Sequence, residues 1–369
     1  MKIGIITYHN TINFGAALQT YSTVRALKML GTSPEVIDYR KDLIESRKRL
    51  QAPRLSIKSI PSYLKMSLKN YGFKIKNAAF EKFSNSFLQL SPSTYRTLEE
   101  LKTIEDQYDL YLVGSDQVWN YQLNGKDPAY FLQFAKDSGK TASFSSSFGL
   151  SSIPEDMRTF YQDGLNSLSS ISVRESMGAD LVKELTGRTS VVNADPVFLT
   201  TPEDWREMAR ANSNKGVEGA LASYFLGPEL REKADALIAN SELRGKIEVK
   251  LAGGLSVKDL ISRKVSVRID RGPLDFIRVL DQSSFVLTGS FHATAFAILL
   301  DKPFAVLLKG DAGKDARILE LLRTFSLLDR VAETASDLRF DPPSSDKDTR
   351  KVIDELRGKS VSYLSTLIG

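Results

Sequence analysis

Short apolar runs alternate along the chain with stretches of helical period, and polar turns separate them. Residues 2–7 read as a strand, 8–14 as a polar loop, and 15–30 as a helix through Leu18, Tyr21, Val24, Leu27 and Met29. Gly31 closes that helix, and residues 35–39 read as the next strand. A strand–helix–strand opening begins an open α/β sheet. Strands follow at 108–113 and at 141–149, then a helix at 154–168, a strand end at 171–176 and a helix stopping at Gly187. An apolar run at 191–199 is broken by Asp195-Pro196, a strong turn signal. Further strands at 220–225, 247–251, 285–287 and 303–308 alternate with helices, among them 273–281, one starting after Gly289-Ser290, and 316–325. A polar linker at 341–348 leads to a closing helix at about 349–367. The expected architecture is α/β, with two Rossmann-like domains facing across a cleft: residues 1–170, residues 171–340, and residues 341–369 packing back.

Charge alters this picture in one place. Residues 40–82 carry twelve Lys or Arg against three acids, with Ile57, Ile60, Leu64, Leu68 and Tyr71 at helical spacing between them. This predicts a basic helical insert, at about 40–105, in the first half. Such a face suits an anionic membrane surface or a nucleic acid, and equally a solvated hairpin covering a sheet edge. Nucleic acid is not an expected partner. Elsewhere 42% hydrophobic and 26% charged residues are ordinary for a globular protein. The absence of cysteine excludes a thiol nucleophile and a Cys-based metal site. Residues 2–7 hold one charge and too few apolar residues for a signal peptide. No apolar stretch approaches the ~20 residues of a membrane span, so a cytoplasmic protein, peripheral at the inner face of the plasma membrane, is expected.

Candidate chemistry collects where strands run into polar turns. His292 lies in the first turn after the strand at 285–287 and is one of only two histidines. A helix start holds anions through unpaired N–H groups, and a histidine there can donate a proton near neutrality. A buried histidine satisfying a carbonyl fits the position equally. The loop after the first strand carries His9 and Asn13, which suit acceptor binding or simple turn and cap chemistry. It is no GxGxxG fingerprint, so a dinucleotide is not indicated. The second polar edge, Gly114-Ser115-Asp116-Gln117-Val118-Trp119-Asn120, offers Asp116 as base or hydroxyl acceptor and Trp119 as a stacking face. A cap and a core tryptophan are the structural alternatives. Arg174 stands at the lip of a further strand.

Together these residues resemble the polysaccharide pyruvyl transferases nearly end to end. The resemblance rests on Asn13-Phe14-Gly15-Ala16-Ala17-Leu18-Gln19, on the segment 113–120, on 143–149, and on Val173-Arg174-Glu175. Asp195-Pro196, the segment 290–296 and Lys302-Pro303-Phe304 complete it. It implies a GT-B-like fold and transfer of pyruvate from phosphoenolpyruvate, as co-substrate, to a sugar as a cyclic ketal. It also implies an acceptor on a polyprenyl-linked oligosaccharide or polysaccharide, with no cofactor and no metal. Many members carry Arg-Leu-His where this chain has Ser290-Phe291-His292; the Ser-Phe-His version matches a subgroup pattern, and the cation two residues before the histidine is missing.

The residue roles follow from that resemblance. His292 and Asp116 are the expected catalytic pair. Arg174, Ser290, Gly289, Lys302 and Arg317 are the expected donor-binding set, with Lys309 and Arg271 as further substitutes for the missing cation. His9, Asn13 and Trp119 fall to the acceptor. The only Asp-x-Asp, Asp346-Lys347-Asp348, lies in the linker, away from any expected chemistry. Two rivals stay open: a nucleotide-sugar glycosyltransferase, although no Glu-x₇-Glu pair is present, and a non-catalytic carbohydrate-binding relative.

Overall fold

The computed structural model describes residues 1–41, 43, 60–138, 140–210, 218–225, 227–251, 265–267, 272–345 and 348–369. The first sheet is parallel with strand order β3-β2-β1-β4-β5. It comprises β1 (Lys2–Ile6), β2 (Ser33–Tyr39), β3 (Leu90–Tyr95), β4 (Leu110–Val113) and β5 (Thr141–Ser143). Beyond β5 lie the short parallel strands β6 (Ser172–Val173) and β7 (Val191–Val192). Bridges from Ala142 to Ser170 and from Ser146 to Val173 join them to the β5 edge. Residues 171–192 therefore continue the first sheet, whereas the sequence pattern assigned them to the second half.

The second sheet repeats the same order, β10-β9-β8-β11-β12, again parallel. Its strands are β8 (Leu221–Tyr224), β9 (Glu248–Lys250), β10 (Val265–Val267), β11 (Phe285–Thr288) and β12 (Phe304–Val306). β1, β4, β8 and β11 are buried along nearly their whole length, as parallel strands covered on both faces by helices must be.

Helix α1 (Phe14–Met29) is the hinge of the packing. Phe14, Ala17 and Leu18 belong to one apolar cluster with Trp205, Phe276 and Phe296 of the second half. Leu27 and Val24 pack into the first-sheet cluster with Ile3 and Ile5. Burial on almost every side explains its polar positions. Gln19 Nε2 donates to Thr7 Oγ1 at 3.0 Å, Gln19 Oε1 accepts from the Ser115 N–H at 3.1 Å, and Ser22 pairs with Thr200 at 2.8 Å.

The basic excursion is a crossover between β2 and β3, so the expected insert ends sooner than 105. Its helix α2 (Ile60–Phe87) packs through Phe80 and Phe83. Tyr71, expected on the apolar face, is exposed. Of the cations expected to face a membrane, Arg47, Lys48, Arg49, Arg54 and Lys58 lie outside the described residues. Arg40 is paired with Asp38 at 2.8 Å and Lys41 with Asp127 at 3.3 Å. No helix among the described residues is long and apolar enough to cross a membrane.

The last helix, α3 (Thr349–Ile368), returns to the first half. Tyr363 donates to the Ser143 carbonyl at 2.9 Å and stacks on Phe144, and Leu364 is fully buried in the first-sheet cluster.

Candidate active site

The carboxyl ends of the strands of both sheets converge on one set of loops. Asn13 caps α1, its Oδ1 accepting from the N–H groups of Gly15 at 3.0 Å and Ala16 at 3.4 Å. After β4 the chain turns sharply, with φ of 120° at Gly114 and 71° at Asp116. A Cβ on Gly114 would come within 2.3 Å of the Phe144 carbonyl, so the turn admits only glycine there. β6 and β7 deliver Arg174-Glu175 and Asn193 to Asp195 to the same edge. From the second half, β11 runs into the helix Phe291–Leu299, with Ser290 as its N-cap and His292 in its first turn.

These loops meet in a buried charge cluster. Arg174 is at its centre: Nε donates to Glu175 Oε1 at 3.0 Å, Nη1 donates to Asp195 Oδ2 at 2.8 Å, and Asp116 Oδ1 lies 3.8 Å from Nη1. The guanidinium also lies over the Phe291 ring, 4.6 Å from its centroid. Burial works against its charge, but Glu175, Asp195 and Asp116 more than offset this, so its pKa is raised. Asp195 Oδ2 stands 3.3 Å from His292 Nε2. Burial by itself would raise the Asp195 carboxyl; His292, Arg174 and the Val197 N–H outweigh it and hold the pKa at about 2.

The other edge of the His292 ring faces α1, where a Cβ on Gly15 would sit 2.0 Å from Nδ1. Glycine at 15 is what lets the imidazole fit between the two halves. Arg317 joins from the second half, with Nη1 and Nη2 3.1 Å from the Gln117 amide when its oxygen is turned toward them. Burial, and after it the like charge of Arg174, lower its pKa.

Three nitrogens in this cluster, Arg174 Nη2, His292 Nε2 and Arg317 Nε, are buried without a hydrogen-bond partner. Buried polar groups are nearly always satisfied, so the two guanidinium nitrogens mark the place of a missing acceptor, while His292 Nε2 already faces Asp195. A cavity of about 120 Å³ is lined by Arg174, Asn193, Asp195, Phe291, Arg317 and Lys359, among others. That equals the share of roughly four water molecules in the liquid, enough for a small anion. The two guanidiniums face three carboxylates, those of Asp116, Glu175 and Asp195.

The structure thus brings His292, Asp116, Arg174 and Arg317 together, whereas Gly289, Ser290, Lys302, His9, Trp119 and Asn13 are engaged in other contacts. Gly289 has its N–H bonded to the Tyr224 carbonyl at 3.3 Å and its Cα packed against Leu230. The Ser290 N–H bonds the Thr288 hydroxyl at 3.1 Å, so neither amide is open to an anion. Lys302 lies beyond the far end of the His292 helix, its Nζ donating to the Asp281 carbonyl at 2.7 Å. His9 is buried and paired, with Nε2 2.9 Å from Asp38 Oδ1. Trp119 is 1% exposed, donates to the Tyr130 carbonyl at 2.8 Å and stacks on Phe131. Trp119 is core, and no sugar ring can reach its face. Asn13 does the capping work its position allows. Arg271 and most of the Asp-x-Asp segment lie outside the described residues. Asp195, read from the sequence as a turn signal and as part of the family resemblance but given no site role, is the residue that joins Arg174 to His292.

The comparisons agree with this architecture. The solved structure of UDP-GlcNAc 2-epimerase from Methanocaldococcus jannaschii has a TM-score of 0.54 at 13% identity, covering 100% of this chain and 99% of that one. The Neisseria meningitidis UDP-GlcNAc 2-epimerase has a TM-score of 0.51 at 11% identity, covering 100% of this chain and 93% of that one. Arabidopsis thaliana UGT89C1 has a TM-score of 0.51 at 10% identity, covering 99% of each. At such identities the likeness shows the fold alone, two Rossmann-like halves in the GT-B manner. No curated protein sequence matches the chain. The family model described as polysaccharide pyruvyl transferase matches residues 13–308, from the Asn13 cap through the His292 helix and β12. With most of its length matched, the chain belongs to the polysaccharide pyruvyl transferase family.

Proposed function

We propose that this transferase moves pyruvate from phosphoenolpyruvate onto a sugar of a surface or exopolysaccharide repeat unit as a cyclic ketal. The observation that carries the proposal is the pair of buried guanidinium nitrogens, Arg174 Nη2 and Arg317 Nε, left without hydrogen-bond partners on two residues that line one small cavity. Phosphoenolpyruvate is small and highly anionic, and its carboxylate and phosphate oxygens supply the acceptors these donors lack. In the reaction C3 of the enol takes a proton and C2 bonds to one sugar hydroxyl. The C2–O bond breaks as phosphate leaves, and a second hydroxyl closes the ketal at C2. His292 is suited to deliver a proton to C3 or to the departing phosphate, with Asp195 orienting its ring. General acid–base help of this kind is worth about 10²–10⁴ in rate. Asp116 is suited to orient the attacking hydroxyl.

The acceptor is a sugar on a polyprenyl-linked oligosaccharide or polysaccharide, and the basic stretch 40–82 would hold the enzyme at anionic lipid. The chain is grouped with members carrying Ser-Phe-His, in which Arg317 stands in for the cation missing at 290.

Thermal unfolding with and without phosphoenolpyruvate tests the donor assignment, with Arg317→Gln and His292→Asn alongside. Ligand at 100 times Kd should stabilise by about 2.7 kcal/mol. Arg174→Ala would be a poor probe, because it strands three buried carboxylates. The expected outcome is a shift in the parent protein that Arg317→Gln loses, with His292→Asn binding the donor but losing turnover by at least about 100-fold. No shift with phosphoenolpyruvate, together with a shift from a UDP-sugar, would overturn the proposal in favour of glycosyl transfer.

A further inference from the structure

Lys76 lies on α2, at the seam between the two halves. Its Nζ is 4.5 Å from the centroid of the Phe14 ring and 6.0 Å from that of Phe80. Phe14 stacks on Phe276 of the second half at 4.7 Å and meets Tyr224, at the carboxyl end of β8, at 5.7 Å. Three residues along α2, the Ala79 carbonyl lies 3.2 Å from where a Cβ on Gly272 would be, so the helix abuts the second half here. The residue after Phe14 is Gly15, which touches the His292 ring.

Among the described residues Lys76 has neither a carboxylate nor a hydrogen-bond acceptor, only the two aromatic faces. Burial brings its pKa down to about 8. Lys76 is only partly buried, and an arriving anion would offset the cost that burial puts on its ammonium. The two guanidiniums of the charge cluster already face the carboxylates of Asp116, Glu175 and Asp195, so a phosphate-bearing substrate brings more negative charge than that cluster neutralises.

Building on the pyruvyl-transfer proposal above, we infer that Lys76 is a substrate-binding residue whose ammonium takes a phosphate oxygen at the seam beside His292. The phosphate belongs either to phosphoenolpyruvate or to a diphosphate carried by the acceptor, and the test separates the two. Calorimetric titrations compare the parent protein with Lys76→Met and Lys76→Arg, using phosphoenolpyruvate and inorganic pyrophosphate as probes. For the probe that docks on Lys76, Lys76→Met should weaken binding about 10- to 100-fold, the worth of a charge-assisted hydrogen bond, while Lys76→Arg stays within a few-fold. Loss confined to phosphoenolpyruvate assigns the donor phosphate, and loss confined to pyrophosphate assigns the acceptor diphosphate. Equal affinities in the parent and Lys76→Met for both probes would overturn the inference, as would a parent protein that binds neither. Phosphoenolpyruvate binding that Arg317→Gln abolishes and Lys76→Met leaves intact, with pyrophosphate binding unchanged, would sink Lys76 and keep the donor assignment. Lys76→Met should melt no lower than the parent, so lost binding cannot be laid to misfolding.

Discussion

Replacing Lys76 by Met should stabilise the ligand-free protein, and the size of the effect follows from its surroundings. Burial lowers the ammonium from an ordinary 10.5 to about 8. At about 1.36 kcal/mol per unit this is a penalty of about 3 kcal/mol in the charged form. The faces of Phe14 and Phe80 return about 1 kcal/mol of it as cation–π attraction. Methionine keeps the apolar stem and removes the charge, for a net gain of about 2 kcal/mol at pH 7. At about 2.1 cal/mol/K per residue, a chain of 369 residues should melt about 3 °C higher.

The pH dependence of that gain has a definite sign. Between pH 8 and 10.5 the unfolded chain keeps the Lys76 proton while the native protein has released it, so parental stability rises with pH. The penalty is complete below about pH 8 and gone above about 10.5. The advantage of the Met variant should therefore shrink across that window. Calorimetric melts at pH 7, 9 and 10.5 measure this. A Met variant that melts lower than the parent at pH 7, or a gap that stays constant to pH 10.5, would refute the reasoning.

Two further perturbations address the charge cluster. Asp195→Asn removes one partner of a buried pair and should cost about 3–5 kcal/mol in urea unfolding at pH 7. Because its carboxyl is held at about 2, below the usual 3.8, that stabilisation is present above pH 4 and lost as pH falls toward 2; the variant should show a flatter decline over this range. Gly15→Ala drives a methyl into the His292 ring, so turnover should fall and stability drop by about 1–3 kcal/mol. His292→Ala in the same chain should recover most of that stability, and a double-mutant cycle with no coupling would contradict the contact.

The sequence made local structure plain and hid pairings. Strand–helix boundaries came through because an apolar run followed by a capped helix is a local signal: the opening strand, α1 with its Asn13 cap, β11 and α3 all fall within a residue or two of expectation. β3 was hidden inside the expected insert because Leu90-Ser91-Pro92-Ser93-Thr94-Tyr95 is an edge strand with little apolar alternation. His292 was found by its place at a helix start. Asp195, 97 residues earlier, was not, since nothing local to Asp-Pro says which side chains it will meet. Trp119 and His9 look like ligand contacts on a polar loop; only the tertiary packing shows one stacked on Phe131 and the other locked to Asp38. Charge counting found the basic run but could not tell Lys76, turned inward over Phe14, from its exposed neighbour Lys74.

The return of α3 to the first sheet bears on how the protein is made. Tyr363 and Leu364 seal an apolar face that includes Ile3, Ile5, Val24 and Phe144, and the Tyr363–Ser143 bond spans 220 positions. During synthesis that face stays open to water until residue 364 has been added, long after the five strands of the first sheet exist. Loop closure of this length is slow, and exposed core surface is where chains aggregate. The first half is thus obliged to wait for the second, which couples the maturation of one half to the completion of the other.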